Sequence, residues 1–195
     1  MRTTRITSLD LLRGVVMVVM AVDHVRVFAG VPAGGPTPAI FFTRWITHFV
    51  APAFAFLAGM GAYLYGRRLA NRGLLARYLV TRGLLLILLE LTVIRLSWTF
   101  NLDYAHYLLA GVIWMLGVCM ILLAALIWLP LPAIAAFALI VIGAHNLIGP
   151  SYGEHGWLTT LLYFGGPIRL GADGPLLMVL YSIVPWIGVL AAGYL

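Results

Sequence analysis

The sequence predicts an all-α, polytopic transmembrane helical bundle with about six membrane helices and a cytoplasmic N-terminus. Three observations carry that reading. Of 195 residues, 63% are hydrophobic and only 9% charged, against roughly 25% charged in a soluble domain of average composition. Mean hydropathy is +1.05. The apolar runs are nearly unbroken, whereas a membrane β-barrel alternates over segments of about ten residues.

Six hydrophobic stretches approach the ~20 residues that a ~30 Å hydrocarbon core requires: residues 10–30, 44–66, 77–97, 107–129, 131–149 and 176–195. Orientation follows from arginine, since the basic residues include no lysine. Arg2 and Arg5 precede the first span, and Arg67, Arg68, Arg72 and Arg77 cluster around the second connection. The first and third connections are nearly free of basic residues, which places them outside and the N-terminus inside. The same distribution argues against a nucleic-acid partner for the net charge of +6, because these arginines mark helix ends instead of one soluble face.

Between the spans, AGVPAGGPTPAIFFT reads as an irregular Gly- and Pro-rich loop. Trp128 to Pro132, WLPLP, reads as a tight turn between helices. The apolar centre of the fifth connection, Trp157 to Phe164, reads as a short interfacial or re-entrant helix. No repeat or second domain is visible, so residues 1–195 form one domain. The last span stops at Leu195 without a flanking charge, and the expectation is that the chain is cut short.

Polar residues inside these spans are costly, about 2.5–3.5 kcal/mol each on insertion scales, and commonly mark a working site. In the first span Asp10, Arg13 and His24 share a helix face, with Arg13 and His24 about 16 Å apart along the axis. Arg26 points off that face and is expected to snorkel at the outer interface. In the second span Arg44 and His48 share a face, and Pro52 removes a helical hydrogen bond, bending the helix or freeing a carbonyl. Glu90 and Arg95 belong to the third span. Asp23, His24, Arg44, His48, Glu90 and Arg95 thus fall at similar outer depths on three helices, and their convergence is an expectation of the sequence.

Other chemistry is poorly supported. HxxxH, HExxH and CxxC spacings are missing, so no metal is expected, and neither a P-loop nor a GxSxG elbow is present. Cys119 is the single cysteine, which excludes an internal disulfide. His106, His145, Glu154 and His155 lie at outer interfaces and read as solvated. A histidine pair beside a carboxylate suits proton transfer near neutral pH. Two functions meet that description: group transfer from an inner anionic donor to an outer acceptor, and proton-coupled transport of a small solute.

Four segments also resemble a known family: RITSLDLLRGVVMVVMAVDHVR, FFTRWITHFVAPAFAFLAG, TRGLLLILLELTVIRLSWTFNL and VPWIGVLAAGY. They are similar to the bacterial membrane family DUF1624, related to heparan-α-glucosaminide N-acetyltransferase. The resemblance implies a transmembrane acyltransferase of a bacterial inner membrane, taking acetyl from cytoplasmic acetyl-CoA and giving it to an amine or hydroxyl of an extracytoplasmic glycan. It implies His48 as the catalytic candidate. Arg13 and His24 resemble the arginine and histidine of the broader acyltransferase-3 group, so both histidines stand as candidate base or acetyl carrier. Asp23, Glu90 and Arg44 are the expected supporting residues. Arg13, Asp10, Arg67 and Arg68 are the expected contacts of acetyl-CoA. A homo-oligomer is compatible with the resemblance.

Overall fold

A computed structural model describes residues 6–31, 37–147 and 156–195. Arg2, Arg5, Glu154, His155 and the centre of the first Gly/Pro-rich connection lie outside the described residues.

Helix α1 spans Thr7–Phe28. The next helix begins earlier than the hydropathy pattern predicts, because Thr37 accepts a hydrogen bond from the Ile40 amide at 3.4 Å and Pro38 occupies the first turn. A threonine cap followed by proline is a strong start signal, and it turns the end of the expected loop into α2, Pro38–Thr47. The chain then passes through a tightened turn at His48 and Phe49 before α3, Val50–Leu69. Pro52 has no amide hydrogen to offer the His48 carbonyl four residues back, which accounts for the break. Ala70 closes α3 in the left-handed region, and the Asn71 side chain caps α4, Arg72–Leu89.

Helix α4 continues through a π-helical turn, Glu90–Ile94, into α5, Arg95–Thr99. Strand β1, Tyr107–Ala110, leads directly into α6, Val112–Leu126. The WLPLP turn follows, then α7, Leu131–Ala144. A short helix, α8 at Trp157–Thr159 with a π turn at Thr160–Phe164, occupies the apolar centre of the fifth connection, as the sequence predicts. Strands β2, Gly166–Arg169, and β3, Leu176–Val179, precede α9, Val184–Gly193.

One expectation is corrected here. The chain is mainly helical but not all-α: β3 pairs in parallel with β1 and antiparallel with β2, giving the order β1-β3-β2. Short apolar runs do not distinguish a buried strand from a helix end by periodicity, so the expected spans 107–129 and 176–195 each absorb a strand. In addition, Pro38–Leu69 is the one described helical stretch both long and apolar enough to cross a membrane. Val112–Leu126, Leu131–Leu147 and Val184–Gly193 are apolar but shorter.

Helix packing centres on close backbone approaches. A Cβ added to Gly83 of α4 would lie 2.5 Å from the Gly117 carbonyl oxygen, and one added to Gly117 would lie 2.6 Å from that of Gly83. The α3–α9 crossing is similar, with Gly59 against the Leu190 carbonyl and Gly193 against that of Phe56. Small residues at crossings matter most where lipid gives helices little hydrophobic reason to associate. Leu75, Leu79, Met115, Cys119 and Leu123 fill the core beside these crossings.

Gly117→Val should therefore destabilise the fold by at least about 1–3 kcal/mol, whereas Gly143→Ala, with open space around it, should not. Chemical unfolding of the purified chain in detergent separates the two. In the loop after α5, His106 hydrogen-bonds the Asp103 carboxyl at 2.8 Å and holds it below the ordinary carboxylate range. That local stabilisation is complete above the ordinary value and is lost as pH falls through the lowered one. Asp103→Asn should flatten this acid-side loss, read by amide exchange of residues 101–106.

Candidate functional site

The C-terminal part of α1, the turns that follow α4, the α2–α3 break and the β1–α6 junction surround a cavity of about 950 Å³. Asp23, His24, Arg44, His48 and Glu90 all line it. Five of the six polar residues expected to converge therefore do so. Tyr181 lies within electrostatic range of Asp23, Arg44 and Glu90 and lines the cavity too.

Both histidines are held in the same way. His24 Nδ1 lies 2.7 Å from the Met20 carbonyl, and His48 Nδ1 lies 2.6 Å from the Arg44 carbonyl. A carbonyl oxygen only accepts, so Nδ1 carries the proton and Nε2 of the neutral ring keeps the lone pair. The same i, i−4 contact thus sets one tautomer at both positions. Trp98 packs on His24 with ring centroids 5.0 Å apart and stacks on Phe28 at the same distance.

Asp23 binds neither histidine ring among the described contacts. Its Oδ1 accepts from Arg26 Nε and Nη2 at 3.2 and 3.1 Å, from the Thr47 hydroxyl at 3.1 Å, and from Arg44 Nη1 at 3.4 Å. It therefore ties α1 to the last turn of α2, next to His48. This also corrects the expectation for Arg26: its side chain is 10% exposed, gripped by Asp23 and by the Val31 carbonyl, instead of snorkelling.

Glu90, 2% exposed, caps α6. Its Oε2 accepts from the Ile113 and Trp114 amides at 2.9 and 3.0 Å, which a helix N-terminus leaves without intrahelical partners. Gly111 provides the room, since a Cβ there would meet Glu90 Oε1 at 2.6 Å. Arg95, the sixth expected member, lies behind the cavity wall. Its guanidinium donates to the carbonyls of Asn101, Asp103 and Tyr107 and covers the Tyr104 ring at 4.4 Å. Glu90 and Arg95 thus do not pair with each other among the described contacts.

At the other end of α1 a smaller pocket, about 480 Å³, is lined by Asp10, Arg13, Arg68, Gly61, Tyr65 and Tyr78 among others. Asp10 and Arg13 form an ion pair at 3.7 Å. A Cβ on Gly61 would come within 3.3 Å of Arg13 Nη2. Arg67 is placed differently, over the Tyr63 ring at 6.0 Å. Among the described residues, no group of three or more His, Cys, Asp or Glu could hold a metal ion. His106, exposed, and His145, half-buried, sit apart from both cavities and are bonded locally.

Thr47, Trp98, Tyr107, Tyr181 and Trp186, which the sequence pattern does not single out, also line the larger cavity. Thr47 immediately precedes His48 and carries a readable signal; Tyr107 carries none, because periodicity does not separate its short strand from a helix end.

The family model described as "Heparan-alpha-glucosaminide N-acetyltransferase, catalytic" matches residues 5–195. No curated protein and no solved structure matches the chain.

If Glu90 acts as the α6 cap, Glu90→Ala should cost about 1–2 kcal/mol of stability and Glu90→Gln less, because the amide oxygen can still accept. Thermal unfolding of the two variants side by side reads the difference.

Proposed function

Because the chain belongs to the heparan-alpha-glucosaminide N-acetyltransferase catalytic family, we propose that it carries acetyl from acetyl-CoA across a membrane to an amine or hydroxyl of a glycan. The observation that carries the reading is the larger cavity, where two histidines present the same Nε2 lone pair beside Asp23 and Arg44. His48 is the primary base and His24 the second.

The chemistry follows from that tautomer. An acceptor nitrogen or oxygen loses a proton as it bonds to the acetyl carbon, and His48 Nε2 collects it. As the thioester C–S bond breaks, the imidazolium returns the proton to the departing thiolate. Nδ1, bonded to the Arg44 carbonyl, keeps the ring oriented throughout.

Acetyl-CoA supplies the activated acetyl group. Arg13 and Arg68 in the smaller pocket fit its anionic phosphates, with Asp10 holding Arg13 in place. Arg67 contributes charge at that end without lining the pocket. Arg13 and His24 are about 16 Å apart along α1, a reach that suits an extended pantetheine arm. The arginines around Arg67, Arg68, Arg72 and Arg77 support a cytoplasmic position for this pocket and for the N-terminus. A bacterial inner membrane and an extracytoplasmic glycan acceptor complete the reading.

Membranes containing the chain should transfer labelled acetyl from acetyl-CoA to a glycan amine or hydroxyl. His48→Ala should lower the rate by roughly 10²- to 10⁴-fold, the usual contribution of general base catalysis, and His24→Ala by less. Full activity in both variants would remove the histidines from the chemistry. Solute flux in proteoliposomes without acetyl-CoA consumption would instead establish a proton-coupled transporter.

A further inference from the structure

We propose that the Arg44 guanidinium is an anion-binding subsite of the larger cavity, taking a carboxylate or phosphate oxygen from the acceptor or from a lipid headgroup. The assignment rests on the acetyl-transfer reading only where it concerns the acceptor; the subsite itself rests on the charges around it.

Those charges leave Arg44 under-used. Asp23 is already paired with Arg26, which approaches Oδ1 through Nε and Nη2 at 3.2 and 3.1 Å and commits Nη1 to the Val31 carbonyl at 2.7 Å. Thr47 adds its hydroxyl to the same oxygen at 3.1 Å. Arg44 contributes one longer contact, Nη1 to Oδ1 at 3.4 Å. Glu90, the other carboxylate of the cavity, gives its Oε2 to the α6 backbone. The remaining titratable groups facing the space are His24, His48, Tyr107 and Tyr181, none of which carries a negative charge near neutral pH.

Among the described residues, then, no hydrogen bond is made by Nε or Nη2 of Arg44, and the side chain is 37% exposed and lines the cavity. An arginine on a water-facing surface often has no further role. This one stands in a space whose walls include Met20, Val27, Phe54, Ile94, Trp98 and Trp186, where charge is expensive and is seldom left without a partner. The planar fork of a guanidinium matches carboxylate and phosphate oxygens two at a time.

The test uses the full chain in phosphatidylcholine nanodiscs, with acetyl-CoA as donor and two acceptors, glucosamine and glucosamine 6-phosphate. The readout is the ratio of their kcat/KM values. The wild type should favour the phosphorylated acceptor, and Arg44→Gln should reduce that ratio by roughly tenfold to a hundredfold, the usual weight of a hydrogen bond to a charged group. General damage to the site lowers both acceptors together and leaves the ratio alone, and the residue-44 carbonyl that holds His48 survives the substitution. Arg44→Lys should restore part of the ratio as a point charge.

Repeating the assay in phosphatidylglycerol nanodiscs identifies the source of the anion. Persistence of the preference assigns it to the acceptor; its loss in the wild type, with Arg44→Gln indifferent to lipid, assigns it to the headgroup. Inorganic phosphate binding gives an independent reading: it should raise the thermal stability of the wild type and not of Arg44→Gln. Absence of transfer to either acceptor would sink the acetyl-transfer reading while the phosphate titration still judged the subsite. An unchanged acceptor ratio together with equal phosphate response in both proteins would overturn the subsite.

Discussion

The carboxylate of Glu90 on the first turn of α6 is the contact on which the larger cavity's end of the molecule depends. A helix that begins away from water leaves amide hydrogens without partners, and each costs free energy unless something accepts it. Here the acceptor comes from a different helix, with Oε2 taking the Ile113 and Trp114 amides. Gly111 permits the approach, and β1 ends immediately before it. One side chain thus joins α4, the start of α6 and the edge of the sheet.

The π turn at Glu90–Ile94 makes this possible. On a regular α-helix, residues five apart differ by about 140° around the axis, so Glu90 and Arg95 would face different sides. The widened turn lets both be buried, at 2% and 1% exposure. Glu90 then serves backbone donors and Arg95 serves backbone acceptors, the carbonyls of Asn101, Asp103 and Tyr107. π turns of this kind are frequent at functional sites, and here the turn places Glu90 and Ile94 in the cavity lining.

His48 depends on a second local defect. Pro52 interrupts the hydrogen-bond ladder of the second helical segment, and the turn at His48–Phe49 falls where the missing bond would have been. Asp23 then fastens that turn to α1 through Thr47 and Arg44. Its negative charge acts on the scaffold of His48 instead of on the imidazole. The two ends of α1 accordingly differ in character: an arginine-bearing pocket around Arg13 and Arg68, and a histidine-bearing cavity around His24 and His48.

Much of this was legible in the amino-acid order. Helical phase and depth grouped Asp23, His24, Arg44, His48 and Glu90, because a rise of 1.5 Å per residue makes depth nearly linear in sequence. Hydropathy located the helices and WLPLP the turn between α6 and α7. Tertiary structure decided the remainder. Whether Leu176–Val179 extends a helix or joins a sheet depends on β1 and β2, which are distant in sequence. Whether Arg26 snorkels or grips Asp23 depends on the Val31 carbonyl beyond the helix end. Sequence alone determined which residues share a face and a depth, since one helix fixes those; only the packed molecule decided which partner each charge meets, since that choice is made between elements.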